Sequence, residues 1–319
     1  SFCMRKPVPY KFKTKLNFFM HRNASIDILK LILSFFVVGL HLLFFDDINR
    51  NIGFFLNQGV FRLAVPIFLV INGYFFARIE TINQYKIWIS RILFLYLFWM
   101  LAYSPFWVSK NMNSNIVNLL KGYFHLWYIV GIVYCSVLVY VLRSQNLKII
   151  IFLSSFLYIL GVILQYSHAY SYIDIPNFSY RNFLFFCMPF FSAGFIIKKL
   201  EKNNQELNVN RYLMFASVVF LLEVVFNIFN LNKKFSFDIN ISFIFLCPLL
   251  FYKISKVNII IPVKNIALIA SVIYFVHPLV FTTIKHFWKF GSISLTVLTI
   301  IISVLFSFPL IKLNHKIKI

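Results

Sequence analysis

Two basic side chains share one face of the first long apolar segment, residues 23–45. Lys30 and His41 are eleven residues apart, so at ~100° per residue their directions around an α-helix differ by ~20°. Ser34 lies ~20° from His41 on the same count, and Asp27 ~40°. A polar stripe therefore runs along an otherwise apolar helix. Near pH 7 a neutral imidazole can act as a general base or as a nucleophile.

The members of this stripe differ in how well a structural role explains them. Asp27 and Lys30 have the i,i+3 spacing of an ion pair near a helix end, and Asp27 lies ~21 Å along the axis from His41. We therefore interpret Asp27 as the partner of Lys30. His41 has no such neighbour in the segment. Because ionisable groups inside a membrane are costly and usually mark a site or a pathway, we assign the chemistry to His41.

The composition identifies the class of protein that carries the stripe. Of 319 residues, 61% are hydrophobic and 13% are charged, and the apolar runs recur at lengths of about 20 residues, as in helical membrane proteins. The sequence predicts an all-α polytopic membrane protein: a basic cytoplasmic segment (1–23), a ten-helix membrane domain (24–311) and a short basic tail (312–319). Four cysteines without a CxxC pair support neither a disulfide framework nor a metal site.

Lysine and arginine set the predicted orientation of the spans. We place ten spans near 25–45, 59–78, 87–108, 124–142, 148–166, 182–198, 211–231, 237–252, 265–285 and 292–311. With the N-terminus inside, the inner segments hold 21 of these basic residues and the outer segments hold 8. This bias places both termini in the cytoplasm. The net charge of +22 thus reflects membrane topology, and we expect no nucleic-acid partner.

The orientation divides the polar residues of the spans into two groups. The outer half of the membrane holds His41, Arg62, His125 and His277, with Trp127 and Tyr128 following His125. The inner half holds Lys30, Asn72, Tyr74, Lys86 and Arg91. The inner group suits an anionic ligand that arrives from the cytoplasm.

Structural roles stay open for several of these residues. His125 and Trp127 could anchor the chain at the membrane interface, and Lys86 and Arg91 could be ordinary cytoplasmic charges that set the topology. Arg62 could extend to the interface, and His277 could form a buried pair with Tyr274. Glu223, in the seventh span, is either an inert protonated acid or the partner of a basic residue.

Four ordered stretches contain these residues: Lys30-X10-His41, the segment 61–75 with Arg62-Leu-Ala-Val-Pro and Asn72-Gly-Tyr, His125-Leu-Trp-Tyr128, and Ser271-Val-Ile-Tyr-Phe-Val-His277. Together they resemble the acyltransferase-3 family of integral-membrane acyltransferases. The likeness is greatest to small O-acetyltransferases of bacterial surface glycans, such as the one that acts on enterobacterial common antigen. The chain departs from the family pattern at Lys30 (commonly Arg), Asn72 (commonly Ser) and Trp88 (commonly the first Arg of an Arg-x-x-Arg pair).

The resemblance implies an O-acetyltransferase of the bacterial inner membrane that uses acetyl-CoA and no metal. The acceptor would be a hydroxyl of a cell-surface glycan, such as O-antigen of lipopolysaccharide, or of its lipid-linked precursor. His41 would be general base or nucleophile; Arg62, Asn72 and Tyr74 would stabilise the oxyanion; Lys30, Lys86 and Arg91 would bind CoA; and His125, Trp127, Tyr128 and His277 would bind the acceptor. The alternatives are a transporter or flippase of a lipid-linked glycan and, third, a membrane sensor or scaffold.

Overall fold

A computed structural model describes residues 24–203, 208–231, 235–259 and 265–317, with side chains as far as 313. The basic segment predicted at 1–23 and the last residues of the predicted tail lie outside this part. We number its main helices as follows: α1 Ala24–His41, α2 Arg50–Phe76, α3 Ile82–Ala102, α4 Met112–Lys121, α5 Phe124–Leu142, α6 Leu147–Ala169, α7 Phe183–Lys202, α8 Asn210–Asn230, α9 Phe243–Ser255, α10 Ile266–Phe287 and α11 Ser292–Ile317.

Nine helices of the described part are long and apolar enough to cross a membrane, namely all except α4 and α9. The prediction of an all-α polytopic membrane protein is therefore confirmed. The ten predicted spans correspond to these nine and to the short apolar helix α9. The prediction was wrong at the start of the eighth span, because residues 236–240 are extended rather than helical.

Two glycines allow α2 and α7 to cross in close contact. A Cβ atom at Gly73 would lie 1.8 Å from the carbonyl oxygen of Phe191, and one at Gly194 would lie 1.9 Å from that of Val70. Small residues permit this backbone approach between membrane helices. Helix α1 packs against α10 and also contacts α2, and α10 in turn packs against α11. This packing brings the outer end of α1 to the middle of α10.

The extended segment before α9 is buried, yet its backbone groups find partners. The N–H of Phe237 donates to Gln58 Oε1 at 2.9 Å, and the N–H groups of Asp238 and Ile239 both donate to Gln165 Oε1 at 2.8 Å. Gln165 Nε2 donates in return to the carbonyl oxygen of Ile239 at 2.8 Å. Non-helical backbone at membrane depth is tolerated only where protein groups or water satisfy it in this way.

Glu223 of α8 holds the start of α9. Its carboxylate accepts hydrogen bonds from the N–H groups of Ile241 and Ser242, at 2.5 and 2.9 Å, and from the Ser242 hydroxyl at 2.7 Å. The Tyr166 hydroxyl also donates to it at 2.8 Å. A negative group at a helix N-terminus is favourable because the first N–H groups lack helical partners. Among the described residues, the partners of Glu223 are these N–H and O–H groups, which the sequence analysis did not consider.

Helices α2 and α7 each contain an irregular part. Helix α2 contains a π-helical stretch, Phe55–Gly59, followed by a 3₁₀ stretch, Val60–Leu63. Helix α7 begins with a second π-helical stretch, Phe183–Cys187. Such turns are frequent at functional sites, because they change which side chains face the interior. The first stretch carries Gln58, and Arg62 follows in the 3₁₀ stretch.

We predict that Glu223→Ala lowers the free energy of unfolding by about 3 kcal/mol, because several N–H and O–H donors lose their acceptor in an apolar environment. Reversible unfolding in mixed detergent micelles measures this change. Glu80→Ala is the matched control, since Glu80 is exposed and forms a solvent-accessible ion pair with Lys202 at 3.0 Å. Equal stability of the Glu223→Ala variant and the unmodified protein would contradict the capping role.

Candidate active site

Three imidazoles from three helices meet at the outer end of the bundle. The ring centroids of His41 and His277 lie 5.3 Å apart and nearly parallel, at 27°. Those of His125 and His277 lie 5.4 Å apart. His125 and His277 are buried, whereas His41 is half-buried and lines an open cavity. The structure therefore brings together the three histidines that the sequence placed in the outer half of the membrane.

A proline fixes the tautomer of His277. Pro278 has no N–H, so the carbonyl oxygen of Tyr274, four residues earlier in α10, has no helical donor. The Nδ1 atom of His277 lies 2.8 Å from this oxygen and 3.1 Å from the carbonyl oxygen of Ile273. Both partners are acceptors, so Nδ1 must carry the proton. In the neutral ring Nε2 is then an unprotonated acceptor, and it is buried without a partner among the described residues.

His125 is held by its backbone rather than by its ring. Its carbonyl oxygen accepts a hydrogen bond from the Tyr274 hydroxyl at 2.7 Å. The preceding residue, Phe124, has a φ of 47°, a left-handed conformation that costs energy for a bulky side chain. Both ring nitrogens of His125 are buried and have no hydrogen-bond partner in the described part of the chain. Since buried polar atoms normally have partners, this ring is available to a ligand.

An outer cavity of about 540 Å³ opens beside His41. Its lining residues are Leu40, His41, Leu43, Asp46, Arg50, Phe54, Asn57, Gln58, Arg62, Phe124, Arg181 and Ser236. Five of the charged and amide side chains in this list had no assigned role in the sequence analysis. The cavity is polar on the side of α2 and aromatic at Phe124, whose ring centroid lies 4.7 Å from that of His41.

Arg62 is fixed in this wall by a network that the sequence did not predict. Its guanidinium donates to Gln58 Oε1 at 2.9 and 3.2 Å, to Ser236 Oγ at 2.7 Å, and to the carboxylate of Asp238. Asp238 also lies 3.6 Å from Arg181. A buried ion pair is stable only when further hydrogen bonds satisfy both groups. Asp238 was detectable as a carboxylate inside a predicted span, which is the usual sign of a functional group.

An inner cavity of about 230 Å³ lies on the other side of two tyrosines. Its polar lining residues are Lys30, Asn72, Tyr128, Ser271 and Tyr274. Asn72 Nδ2 donates to the Tyr128 hydroxyl at 2.7 Å and to the carbonyl oxygen of Phe68 at 2.8 Å. The rings of Tyr128 and Tyr274 lie 5.6 Å apart. Since the Tyr274 hydroxyl contacts the backbone of His125, these two rings separate the inner cavity from the histidines.

Apart from His125 and His277, four predicted site residues line neither of these two cavities. The Tyr74 hydroxyl donates to Glu201 Oε2 at 2.7 Å and accepts from Lys198 Nζ at 3.1 Å, so the structure places it in an ion-pair network at the inner end of α2. Lys86 and Arg91 are exposed on α3 and line neither cavity. The phase of α3 is the reason: Ile92 and Leu95 face the inner cavity, whereas Arg91 points away. Trp127 lines a second outer cavity.

Comparison with known proteins identifies the fold family. Residues 23–312 match the family model Acyl_transf_3, described as an acyltransferase domain. The chain belongs to this family. The resemblance inferred from the four motifs is therefore confirmed, and the match includes His41, His125 and His277. No solved structure matches the chain.

Two curated relatives carry a different name. An "Amino-acid racemase" of Enterococcus faecalis is 24% identical over 335 aligned positions, which cover 94% of this chain and 47% of the relative. A "Serine/alanine racemase" of Enterococcus gallinarum is 24% identical over 233 positions, which cover 63% of this chain and 33% of the relative. The chain thus spans half or less of the length of the curated relatives it matches.

We predict that neutral His277 gives ¹⁵N resonances of a protonated Nδ1 and an unprotonated Nε2 in histidine-labelled protein. Pro278→Ala restores an N–H donor to the Tyr274 carbonyl oxygen, and should therefore allow the second tautomer to appear. His286, which is exposed near the end of α10, serves as the reference for a ring in exchange between tautomers. A protonated Nε2 in the unmodified protein would contradict the assignment.

Proposed function

We propose that this chain is a membrane acyltransferase that moves an acetyl group from cytoplasmic acetyl-CoA to a hydroxyl of a bacterial cell-surface glycan or its lipid-linked precursor. Precursors of O-antigen are in this class. The observation that supports the proposal is the pair of cavities, one lined by Tyr128 and Tyr274 (the tyrosine layer) and the other by His41, with His277 in contact with both His41 and Tyr274. The match to the acyltransferase domain over residues 23–312 gives the reaction type.

The donor would enter from the cytoplasmic side. CoA is polyanionic, and Lys30 supplies a cation in the inner cavity, where its Nζ lies 5.2 Å from the centroid of Phe75. The rest of this cavity is largely apolar, which suits a pantetheine arm and a thioester. The thioester carbonyl would reach the tyrosine layer. Lys86 and Arg91, exposed on α3, would act only as cytoplasmic charges that attract the anion.

At the tyrosine layer one hydroxyl group can still donate a hydrogen bond. The oxygen of Tyr128 accepts its hydrogen bond from Asn72, so its own O–H remains available as a donor. We assign this O–H to the oxyanion that forms when the thioester carbonyl is attacked. Asn72 then acts through Tyr128, because both of its N–H donors are already used. A single oxyanion donor of this kind typically contributes a factor of about 10²–10³ to the rate.

On the outer side, His41 would take the proton of the acceptor hydroxyl as its oxygen attacks the thioester carbon. The C–S bond then breaks and the proton passes to the CoA thiolate. In the alternative route His41 itself attacks the thioester and displaces the CoA thiolate; the acceptor oxygen then attacks the acyl-imidazole, takes the acyl group and releases the imidazole as the C–N bond breaks. In both routes the Nε2 lone pair of His277 accepts a hydrogen bond from the acceptor or from the His41 imidazolium. Most N–H donors of Arg62 already bind protein groups, so Arg62 contributes positive charge to the cavity rather than hydrogen bonds.

The names of the two relatives do not change this proposal. The chain aligns with 47% and 33% of their lengths, and the matched family model describes acyl transfer. We therefore assign no racemase activity to this chain. Transport of a lipid-linked glycan remains the competing function. It predicts movement of the glycan across the membrane without incorporation of label from acetyl-CoA.

We predict that His41→Ala reduces acetyl transfer at least ~10²-fold, which is the usual effect of losing a general base. Membranes are incubated with acetyl-CoA labelled in the acetyl group, and label in the glycan fraction is counted. His286→Ala is the matched control, because this exposed histidine lies on α10 outside both cavities. Full activity of a normally inserted His41→Ala protein would remove His41 from the chemistry.

A second prediction concerns the donor side. Lys30→Gln should raise the KM for acetyl-CoA about tenfold and change kcat little, since it removes a charge that binds the ground state and the transition state alike. Initial rates at varied acetyl-CoA concentration measure this. Lys148→Gln is the matched control, because this exposed lysine near the start of α6 lines neither cavity, and it should leave both constants unchanged. If the two variants behave alike, the inner cavity is not the donor site.

A further inference from the structure

A second outer cavity, of about 700 Å³, adjoins the first. It lies between the end of α4, the first half of α5 and the start of α7, and it shares Phe124 and Arg181 with the cavity that contains His41. None of the reaction steps described above uses this cavity.

The two ends of this cavity differ in chemistry. Its basic side chains are Lys121 and Arg181, of which Arg181 also lines the cavity of His41, whereas Val130, Leu184 and the ring of Tyr134 form an apolar part. Tyr134 follows His125 by nine residues, so it lies ~14 Å further along α5 into the membrane. Its side chain is 37% exposed in this membrane-spanning helix. The apolar end therefore opens sideways to lipid, and the cavity is a groove that leads from the membrane interior to the active site.

The outer end of the groove has an excess of positive charge. Arg62 and Arg181 share one carboxylate, that of Asp238. Lys121 stacks on the Phe178 ring, with Nζ 3.5 Å from the centroid, and has no carboxylate within ion-pair distance in the described part of the chain. Phosphate groups are the natural partners of such a Lys and Arg pair.

Helix α4, which ends at Lys121, has the pattern of a helix that lies at a membrane surface. It is amphipathic, with exposed Ile116, Val117 and Leu120 on one side and asparagines on the other. A helix of this kind lies in the membrane interface with its apolar face at the acyl boundary. The Tyr134 hydroxyl donates to the Leu120 carbonyl oxygen at 3.2 Å and closes the wall between α4 and α5.

We propose that this groove binds a lipid-linked glycan, with the apolar chain along Val130, Tyr134 and Leu184, and its phosphate between Lys121 and Arg181. The sugar then enters the adjoining cavity and presents a hydroxyl to His41. The inference rests on the proposed acyltransferase function and selects its acceptor. The acceptor is acylated as an amphiphile within the membrane, before the glycan is released from its lipid.

Binding is tested first, without any acyl transfer. Purified protein in nanodiscs is titrated with radiolabelled geranylgeranyl phosphate, geranylgeraniol or inorganic phosphate. We expect saturable binding of the phosphorylated lipid alone, weakened at least ~10-fold by Lys121→Gln, because a charge-assisted phosphate contact is lost. Lys110→Gln, another outer lysine that lines neither cavity, is the matched control. Equal binding of geranylgeraniol, or equal binding of phosphatidylglycerol as competitor, would overturn the proposal.

Acyl transfer is tested next, with one glycan presented in three forms: free, as the sugar phosphate, and linked through phosphate to an isoprenoid chain. We expect kcat/KM to be highest for the lipid-linked form, and Leu184→Trp, which fills the groove, to remove that preference. Leu305→Trp, on the exposed face of α11, is its control. If the three forms react equally, the groove proposal fails while the acyltransferase function stands. If none reacts although the lipid phosphate binds, the acyltransferase function fails instead.

Discussion

Backbone amides at membrane depth must find acceptors within the protein, and the extended segment before α9 depends on this constraint. Most backbone N–H groups of this segment donate hydrogen bonds to three side chains of other helices, those of Gln58, Gln165 and Glu223. The segment can therefore run through the bundle without being a helix. As a result Asp238 lies beside Arg62 and Arg181. The polar wall of the outer cavity exists because the backbone next to it is satisfied elsewhere.

The same principle operates at His277 in α10. A proline removes one backbone donor, and an imidazole supplies another in its place. The exchange costs the helix little, because the carbonyl oxygen of Tyr274 remains satisfied. The exchange has a chemical result, however, because it leaves Nε2 of His277 as a hydrogen-bond acceptor close to His41 and His125. Local helix geometry thus determines which tautomer of His277 is present at the site.

The sequence predicted those parts of the site that depend on helix direction and depth. Lysine and arginine counts gave the orientation, and the orientation placed His41, His125 and His277 at one level, where the structure has them. The sequence could not predict features that depend on helix phase between neighbours, which is why Arg91 points away from the inner cavity. Nor could it predict contacts between residues as distant as Arg62 and Asp238, because apolar periodicity carries no information about pairing across 176 positions.

The tyrosine layer has an electrical consequence. The inner cavity is lined by Tyr128 and Tyr274, and the outer cavity reaches His41, whose ring lies against that of His277, so a few aromatic side chains separate the two cavities. We expect much of the membrane voltage to fall across this layer rather than across the whole bilayer. A charge carried through it changes in energy by up to ~2.3 kcal/mol per 100 mV. Under the proposed function, a reacting group that passes these rings would do so within the electric field of the living cell.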